Sequence, residues 1–262
     1  MTTLPSVLIT GASSGIGATY AKRFASRGHD LVLVARDQAR LQTLATALAQ
    51  SHRVAVDVLP ADLTVPRELA TVEDRLRSDR RIGILVNNAG LPQAGDFLQQ
   101  DTAGIDRLIG LNITALTRLS AAIAPRLAEA GTGAIINIGS VVGLAPEFGM
   151  TLYGATKAYV LLLSQGLQQE LGPKGVQIQA VLPAATRTDI WDKAGIDIDT
   201  VTDIMEVEEL VDAALVGFDR HEPVTIPPLQ DAAHWDALDT ARLALLGDLD
   251  QSHAAQRYRS AS

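Results

Sequence analysis

The chain has 262 residues, 47% hydrophobic, 20% charged and only 4% aromatic, with a formal net charge of −8. That composition describes a globular protein with an aliphatic core, and its acidity excludes a general attraction to nucleic acid or anionic lipid. The absence of cysteine removes disulfides, thiolate catalysis and Cys-ligated metals.

Short β-branched runs alternate with stretches of helical periodicity. VLIT (7–10) reads as a strand that stops at Gly11, far too short for the apolar region of a signal peptide. A helix over 15–27, the strand LVLVA (31–35), a helix over 37–51 and the strand VAVDVLP (54–60) follow. Next come a helix over 66–80, the strand ILVNN (84–88), a long helix over 101–130 and the strand AIINIG (134–139). A helix over 153–171, the strand VQIQAVLP (176–183), a helix over 206–218 and the strand PVTIP (223–227) complete the pattern. Most strands are apolar on successive residues, as strands covered on both faces must be. The alternation predicts an α/β chain, one doubly wound Rossmann domain over 1–262 with about seven parallel strands and helices on both faces.

Two segments break the rhythm. Residues 184–205 carry Ile190, Trp191, Ile196 and Ile198 amid Asp and Gly, and predict a lid-like substrate loop. The tail from about 229 to 262 reads as a C-terminal extension with one helical stretch, WDALDTARLALLGDL. No apolar stretch approaches the roughly 20 residues of a membrane span, so no membrane partner and a cytoplasmic location are expected.

Gly11, Gly15 and Gly17 lie where the first strand turns into the first helix. Glycines there permit a tight turn and let backbone N–H groups approach a pyrophosphate. After the second strand stand Ala35 and Arg36. An acid at this point would bond a ribose 2′-hydroxyl, whereas arginine grips a 2′-phosphate, so Arg36 favours NADP. Tyr153 and Lys157 are i and i+4 on one helix face, and a neighbouring ammonium lowers a phenol's pKa. Ser140 directly follows the fifth strand, so it and Tyr153 emerge on the same sheet edge as the glycine turn. Asn112 interrupts the apolar face of Ile105, Leu108, Ile109, Leu116, Leu119 and Ile123, and a buried amide there needs hydrogen-bond partners.

TGASSGIG (10–17), ADL (61–63), NNAG (87–90), Asn112, Ser140, YGATK (153–157) and the stretch from Pro183 to Thr188 occur in this order. From about residue 5 to 228 the chain resembles the short-chain dehydrogenase/reductase family. The resemblance implies an NADP(H)-dependent oxidoreductase acting on a small-molecule carbonyl or alcohol. Tyr153 would exchange the proton with the substrate oxygen. Lys157 would hold the nicotinamide ribose and depress the tyrosine pKa, Ser140 would polarise the carbonyl, and Asn112 would anchor a water in a proton relay. The cofactor would rest on Gly11, Ser13, Ser14, Gly15, Ile16 and Gly17. Arg36 and Ser13 would meet the 2′-phosphate, and Asp62 and Leu63 the adenine. Asn88, Ala89 and Gly90 would line the adenosine side, with an equally structural role for Asn87. Pro183, Ala184, Thr186 and Thr188 would secure the carboxamide.

The chain departs from the family pattern at Ala184, where glycine is usual, and a methyl group there could crowd the nicotinamide. Gln179 replaces an asparagine common in ketoacyl reductases. The segments expected to face the substrate, 91–97, 141–150 and the lid, are mainly apolar, with Arg187 and Lys193 as the only nearby cations and Arg187 directed to solvent. A neutral hydrophobic ketone or aldehyde fits them. Epimerisation or dehydration stays open, with Glu147 and Asp96 as candidates for the additional acid or base, and so does a non-enzymatic NADP sensor. His29, His52, His221, His234 and His253 show no metal-ligand spacing, so no metal is expected. The resemblance and the alanine-rich helix faces imply a homodimer or homotetramer.

Overall fold

The computed structural model describes residues 4–92, 95–189, 191 and 197–259. Strands β1 (Ser6–Thr10), β2 (Leu31–Ala35), β3 (Val56–Pro60), β4 (Ile82–Asn87), β5 (Ala134–Ile138), β6 (Gln177–Val181) and β7 (Val224–Thr225) form one sheet. Their order is β3-β2-β1-β4-β5-β6-β7 and every pairing is parallel. The doubly wound α/β architecture expected from the sequence is therefore present. The order reverses between β1 and β4, and the crevice beyond the carboxyl ends of the strands opens at that switch point.

The helices are α1 (Gly15–Ser26), α2 (Gln38–His52), α3 (Pro66–Ser78), α4 (Thr102–Ile109), α5 (Leu116–Ala130), α6 (Thr151–Leu171), α7 (Val207–Asp219), α8 (Ala233–Ala244) and α9 (Leu246–Leu249). The continuous apolar runs arise because each strand feeds two cores. Val7 and Ile9 point to the layer of α1, α2 and α7, where Phe24, Leu41 and Leu210 meet them. Leu8, between them, points to the opposite layer with Leu76 of α3 and Ile123 of α5. The edge strand β3 is half-covered, and there Asp57 and Pro60 are exposed. A proline is tolerated at an edge because no ladder hydrogen bond is lost.

The helix expected over 101–130 is not uniform. Between α4 and α5 the backbone makes a π-helical turn, Gly110–Ala115, with Asn112 inside it. The extra residue shifts the helical register, so Ile109, expected on the apolar face, is 36% exposed while Leu108 and Leu116 are buried. Contrary to the expectation of no membrane-length apolar stretch, Thr102–Ala130 is long and apolar enough to cross a membrane. Half of its most apolar window is buried inside the fold, and α5 packs on α3 and β4, the pattern of a core helix.

The chain divides into two compact units, Met1–Pro227 and Pro228–Ser262. The first holds the whole sheet and the cleft described below. The second contains α8, with Asp239 and Arg242 paired one turn apart at 2.8 Å, and the short α9. The lid residues Ile190, Lys193 and Ile196, and Gln93 and Ala94 of the 91–97 stretch, lie outside the described residues.

Candidate active site

The turn from β1 into α1 is shaped by what its glycines leave out. Gly11 and Gly15 have φ of 65° and 52°, the left-handed region. A Cβ on Gly17 would lie 2.4 Å from the Gly11 carbonyl oxygen and 2.5 Å from Asn88 Nδ2. The turn is braced from β4, since Asn88 Nδ2 donates to the carbonyls of Thr10 (2.9 Å) and Gly11 (3.2 Å). The Thr10 hydroxyl accepts from the N–H groups of Asn88 and Ala89 at 2.9 and 3.0 Å. Asn87 faces the other way, donating to Ser120 Oγ and Asn137 Oδ1 at 3.0 and 2.9 Å, a buried bond set that ties β4 to β5 and α5.

A cleft of about 880 Å³ runs along the carboxyl ends of the strands, within the size range of ligand pockets. Every site residue expected from sequence lines it except Gly17 and Asn112, which form the layer behind its wall. At one end are Ser13, Arg36, Asp62 and Leu63. Arg36 Nη1 lies 3.8 Å from Asp62 Oδ2. Asp62 Oδ1 accepts from the Thr64 N–H and hydroxyl at 2.9 and 2.7 Å. Burial pushes the Asp62 carboxyl up, but those hydrogen bonds and the charge of Arg36 outweigh it and hold the pKa below its ordinary value.

Ser140, Tyr153 and Lys157 converge on the same cleft. Ser140 Oγ donates to the Pro183 carbonyl at 3.2 Å and stands by the Tyr153 phenol, on whose pKa it exerts a downward pull. Lys157 Nζ lies 5.5 Å from the Tyr153 ring centroid and donates to the Ile138 carbonyl at 2.8 Å. Burial lowers the Lys157 pKa to about 8. The sequence led us to expect a depressed phenol, whereas burial pushes Tyr153 up to about 12, against a smaller downward pull from Ser140. Desolvation of the phenolate is the reason for the difference.

Asn112 reaches neither the phenol nor the ammonium with its side chain. Its Oδ1 accepts from the Leu91 N–H at 2.9 Å, and its Nδ2 donates to the Leu91 carbonyl at 3.0 Å and to Thr156 Oγ1 at 3.2 Å. Thr156 Oγ1 in turn donates to the Tyr153 carbonyl at 2.8 Å. The amide thus ties the strand-end loop at Leu91 to the first turns of α6, and a Cβ on Gly90 would lie 3.4 Å from Asn112 Oδ1.

Opposite, the loop after β6 is clipped at its base. Thr186 bridges Met205, with Arg187 N–H donating to the Met205 carbonyl and Met205 N–H to the Ala185 carbonyl, both at 2.9 Å. The Trp191 indole donates to the Thr186 carbonyl at 2.7 Å. Arg187 pairs with Glu206 at 2.8 Å and does not line the cleft, as its expected solvent orientation requires. Sequence reasoning missed two cations of the wall, Arg107 and, near Arg36, Arg40. Met150, in the 141–150 segment expected to face the substrate, does line the cleft and holds a left-handed backbone (φ 49°) at the start of α6. That conformation had no signal, since nothing in a methionine codes for positive φ. Among the described residues no cluster of three or more His, Asp or Glu could hold a metal.

A switch-point crevice, a glycine turn braced by Asn88 and a Ser-Tyr-Lys set on one wall define a nucleotide-dependent oxidoreductase class. Residues 5–199 match the family described as short chain dehydrogenase, and the chain belongs to that family. Among solved structures it is similar to a short-chain dehydrogenase from Sphingobium yanoikuyae in complex with NADPH, at 69% identity and TM-score 0.97, covering 98% of this chain and 100% of that one. It is also similar to the bulky-bulky ketone specific alcohol dehydrogenase from Comamonas testosteroni, at 60% identity and TM-score 0.92, covering 98% and 99% of the two chains. Sulfoacetaldehyde reductase 2 of Chromohalobacter salexigens is 41% identical over 186 residues, 70% of this chain and 73% of that protein. The chain spans under two thirds of the length of the further curated relatives it matches, 58% and 56% in two of them.

Proposed function

We propose that the protein is an NADP(H)-dependent carbonyl reductase, reversibly an alcohol dehydrogenase, for ketones with bulky apolar substituents. The observation that carries the proposal is the half-buried Tyr153 phenol, set beside Ser140 and the Lys157 ammonium on the wall of a mostly apolar cleft. Two solved relatives of 60% identity or more support it, one holding NADPH and the other specific for bulky-bulky ketones.

The residues present fit the dinucleotide. Gly11, Gly15 and Gly17 leave a cradle that a Cβ would fill, and Arg36 and Ser13 supply donors for a 2′-phosphate. Asp62 and Leu63 would flank the adenine, and Pro183, Ala184, Thr186 and Thr188 would hold the carboxamide end. When bound, the nicotinamide supplies or accepts the hydride. Everything else falls to the chain's own groups. With its pKa pushed up to about 12, Tyr153 is protonated at neutral pH and is the acid that gives its proton to the carbonyl oxygen. Ser140 aligns that oxygen, and the Lys157 ammonium stabilises the phenolate left behind. Asn112 is a positioning residue, fixing Leu91 against α6.

Epimerisation or dehydration would require a further acid or base in the cleft. Neither Glu147 nor Asp96 lines it, and Asp96 instead caps the Leu98 N–H at 3.0 Å. We also assign the apolar groove of Tyr159, Leu162, Leu163 and Leu167 on α6 to a subunit contact, since Leu162 is 67% exposed there; a monomer mass by light scattering would exclude it. The enzymatic reading is tested by NADPH oxidation with diaryl and branched dialkyl ketones, and with sulfoacetaldehyde as the anionic alternative. Turnover of the bulky ketones, lost about a thousandfold or more in Tyr153→Phe, is expected. Turnover of sulfoacetaldehyde alone, or full activity in Tyr153→Phe, would overturn it.

A further inference from the structure

The adenosine end of the cleft carries a second arginine in an unexpected place. Arg40 is the third residue of α2, in a first turn that contains no acidic residue. The helix dipole disfavours a cation there. With Arg36 and Ser13 it lines the cleft.

Both arginines are loosely held. The Arg36 and Arg40 side chains are 68% and 61% exposed. Arg40 Nη1 lies 3.4 Å from Asp189 Oδ2 and its Nε 3.5 Å from Asp37 Oδ2. A tightly held arginine looks different, as where Arg27 grips Asp219 with two bonds of 2.8 Å. Exposed pairs at the longer distances are screened and contribute little. Two forked donors are thus available on one wall, Arg36 restrained by one carboxylate and Arg40 by two, at distances where a better anion can compete.

We propose that Arg40 is a second ligand of the cofactor's 2′-phosphate, and that Asp189 holds its place until the phosphate arrives. The proposal rests on the NADP(H) reading above. A phosphate monoester offers about two negative charges and three acceptor oxygens, against the single charge of Asp189. The guanidinium fork can turn from the carboxylate to the phosphate without changing its own charge. Asp189 follows Thr188, whose methyl group would meet a Cβ on Gly15 at 3.1 Å, so the carboxylate starts from the wall that faces the glycine turn. Once the phosphate is in place, like charge expels Asp189 from Arg40.

Calorimetry on the cofactor-free protein tests this with 2′,5′-ADP, which carries the 2′-phosphate, and 5′-AMP, which does not. Arg40→Gln should weaken 2′,5′-ADP binding by about tenfold or more and leave 5′-AMP within about twofold. Asp189→Asn should tighten 2′,5′-ADP by about two- to fivefold and leave 5′-AMP unchanged. Circular dichroism melting establishes that each variant is folded. The inference fails if Arg40→Gln binds 2′,5′-ADP like the wild type, if it loses both probes equally, or if Asp189→Asn has no effect. Should the wild type itself not distinguish the two probes, the NADP(H) reading falls as well. Should the wild type distinguish them and Arg36→Gln lose that preference while Arg40→Gln keeps it, only the second ligand is refuted.

Discussion

Lys157 is a stability liability that the site retains. Its ammonium sits in a residue only 6% exposed, donating to the Ile138 carbonyl at 2.8 Å. Burial lowers its pKa from 10.5 to about 8. The unfolded chain therefore holds this proton more tightly than the folded one, and at neutral pH folding carries a cost of about 3 kcal/mol from this group. Lys157→Met keeps the unbranched stem, removes the charge and forfeits the bond to Ile138, worth about 1–2 kcal/mol. The variant should be more stable than the wild type by about 1–2 kcal/mol at pH 7 while losing ketone reduction. Below pH 8 both states of the wild type keep the proton, so the gain is constant. Between pH 8 and 10.5 only the unfolded wild type stays protonated, its stability rises with pH, and the advantage of the variant shrinks. Urea unfolding followed by circular dichroism, at pH 7 and pH 10 and one protomer concentration, measures both quantities. A variant less stable at pH 7, or a difference equal at the two pH values, refutes the reasoning.

The same ammonium sets a pH profile. Reductive kcat/KM should be level below about pH 8 and fall above it as Lys157 loses its proton, because Tyr153 stays protonated to about 12; a flat profile to pH 10 would contradict this. Gly17→Ala places a Cβ 2.4 Å from the Gly11 carbonyl oxygen and 2.5 Å from Asn88 Nδ2, so the turn must shift. It should cost about 1–3 kcal/mol of stability and weaken 2′,5′-ADP binding, and an unchanged melting temperature with unchanged binding would show the contact to be harmless.

The sheet was legible because strands buried on both faces announce themselves as unbroken apolar runs, and Val7, Leu8 and Ile9 are such a run. The glycine turn and the Ser140, Tyr153 and Lys157 set were legible because their spacing follows from a strand end and a helix turn. The π-helical turn was not. Apolar residues on either side of Asn112 keep a helical rhythm, and the inserted residue shows only in that Ile109 leaves the buried face. Arg40 was overlooked for a related reason: in sequence it is an ordinary helix arginine, and its partner Asp189 is 149 positions away.

The phenol exposes a deeper limit of the linear pattern. Spacing places Lys157 beside Tyr153 and gives the sign of one effect, a charge that favours the phenolate. It does not reveal that Lys157 is buried and Tyr153 half-buried, and the loss of water acts on each of them toward its neutral form. In the fold this second effect wins, raising the tyrosine and lowering the lysine. The consequence is directional. A neutral phenol is already the acid that carbonyl reduction needs, whereas alcohol oxidation must first remove a proton held to about pH 12. At neutral pH the protein's own protonation states therefore favour reduction, and oxidation gains as the solution becomes more basic.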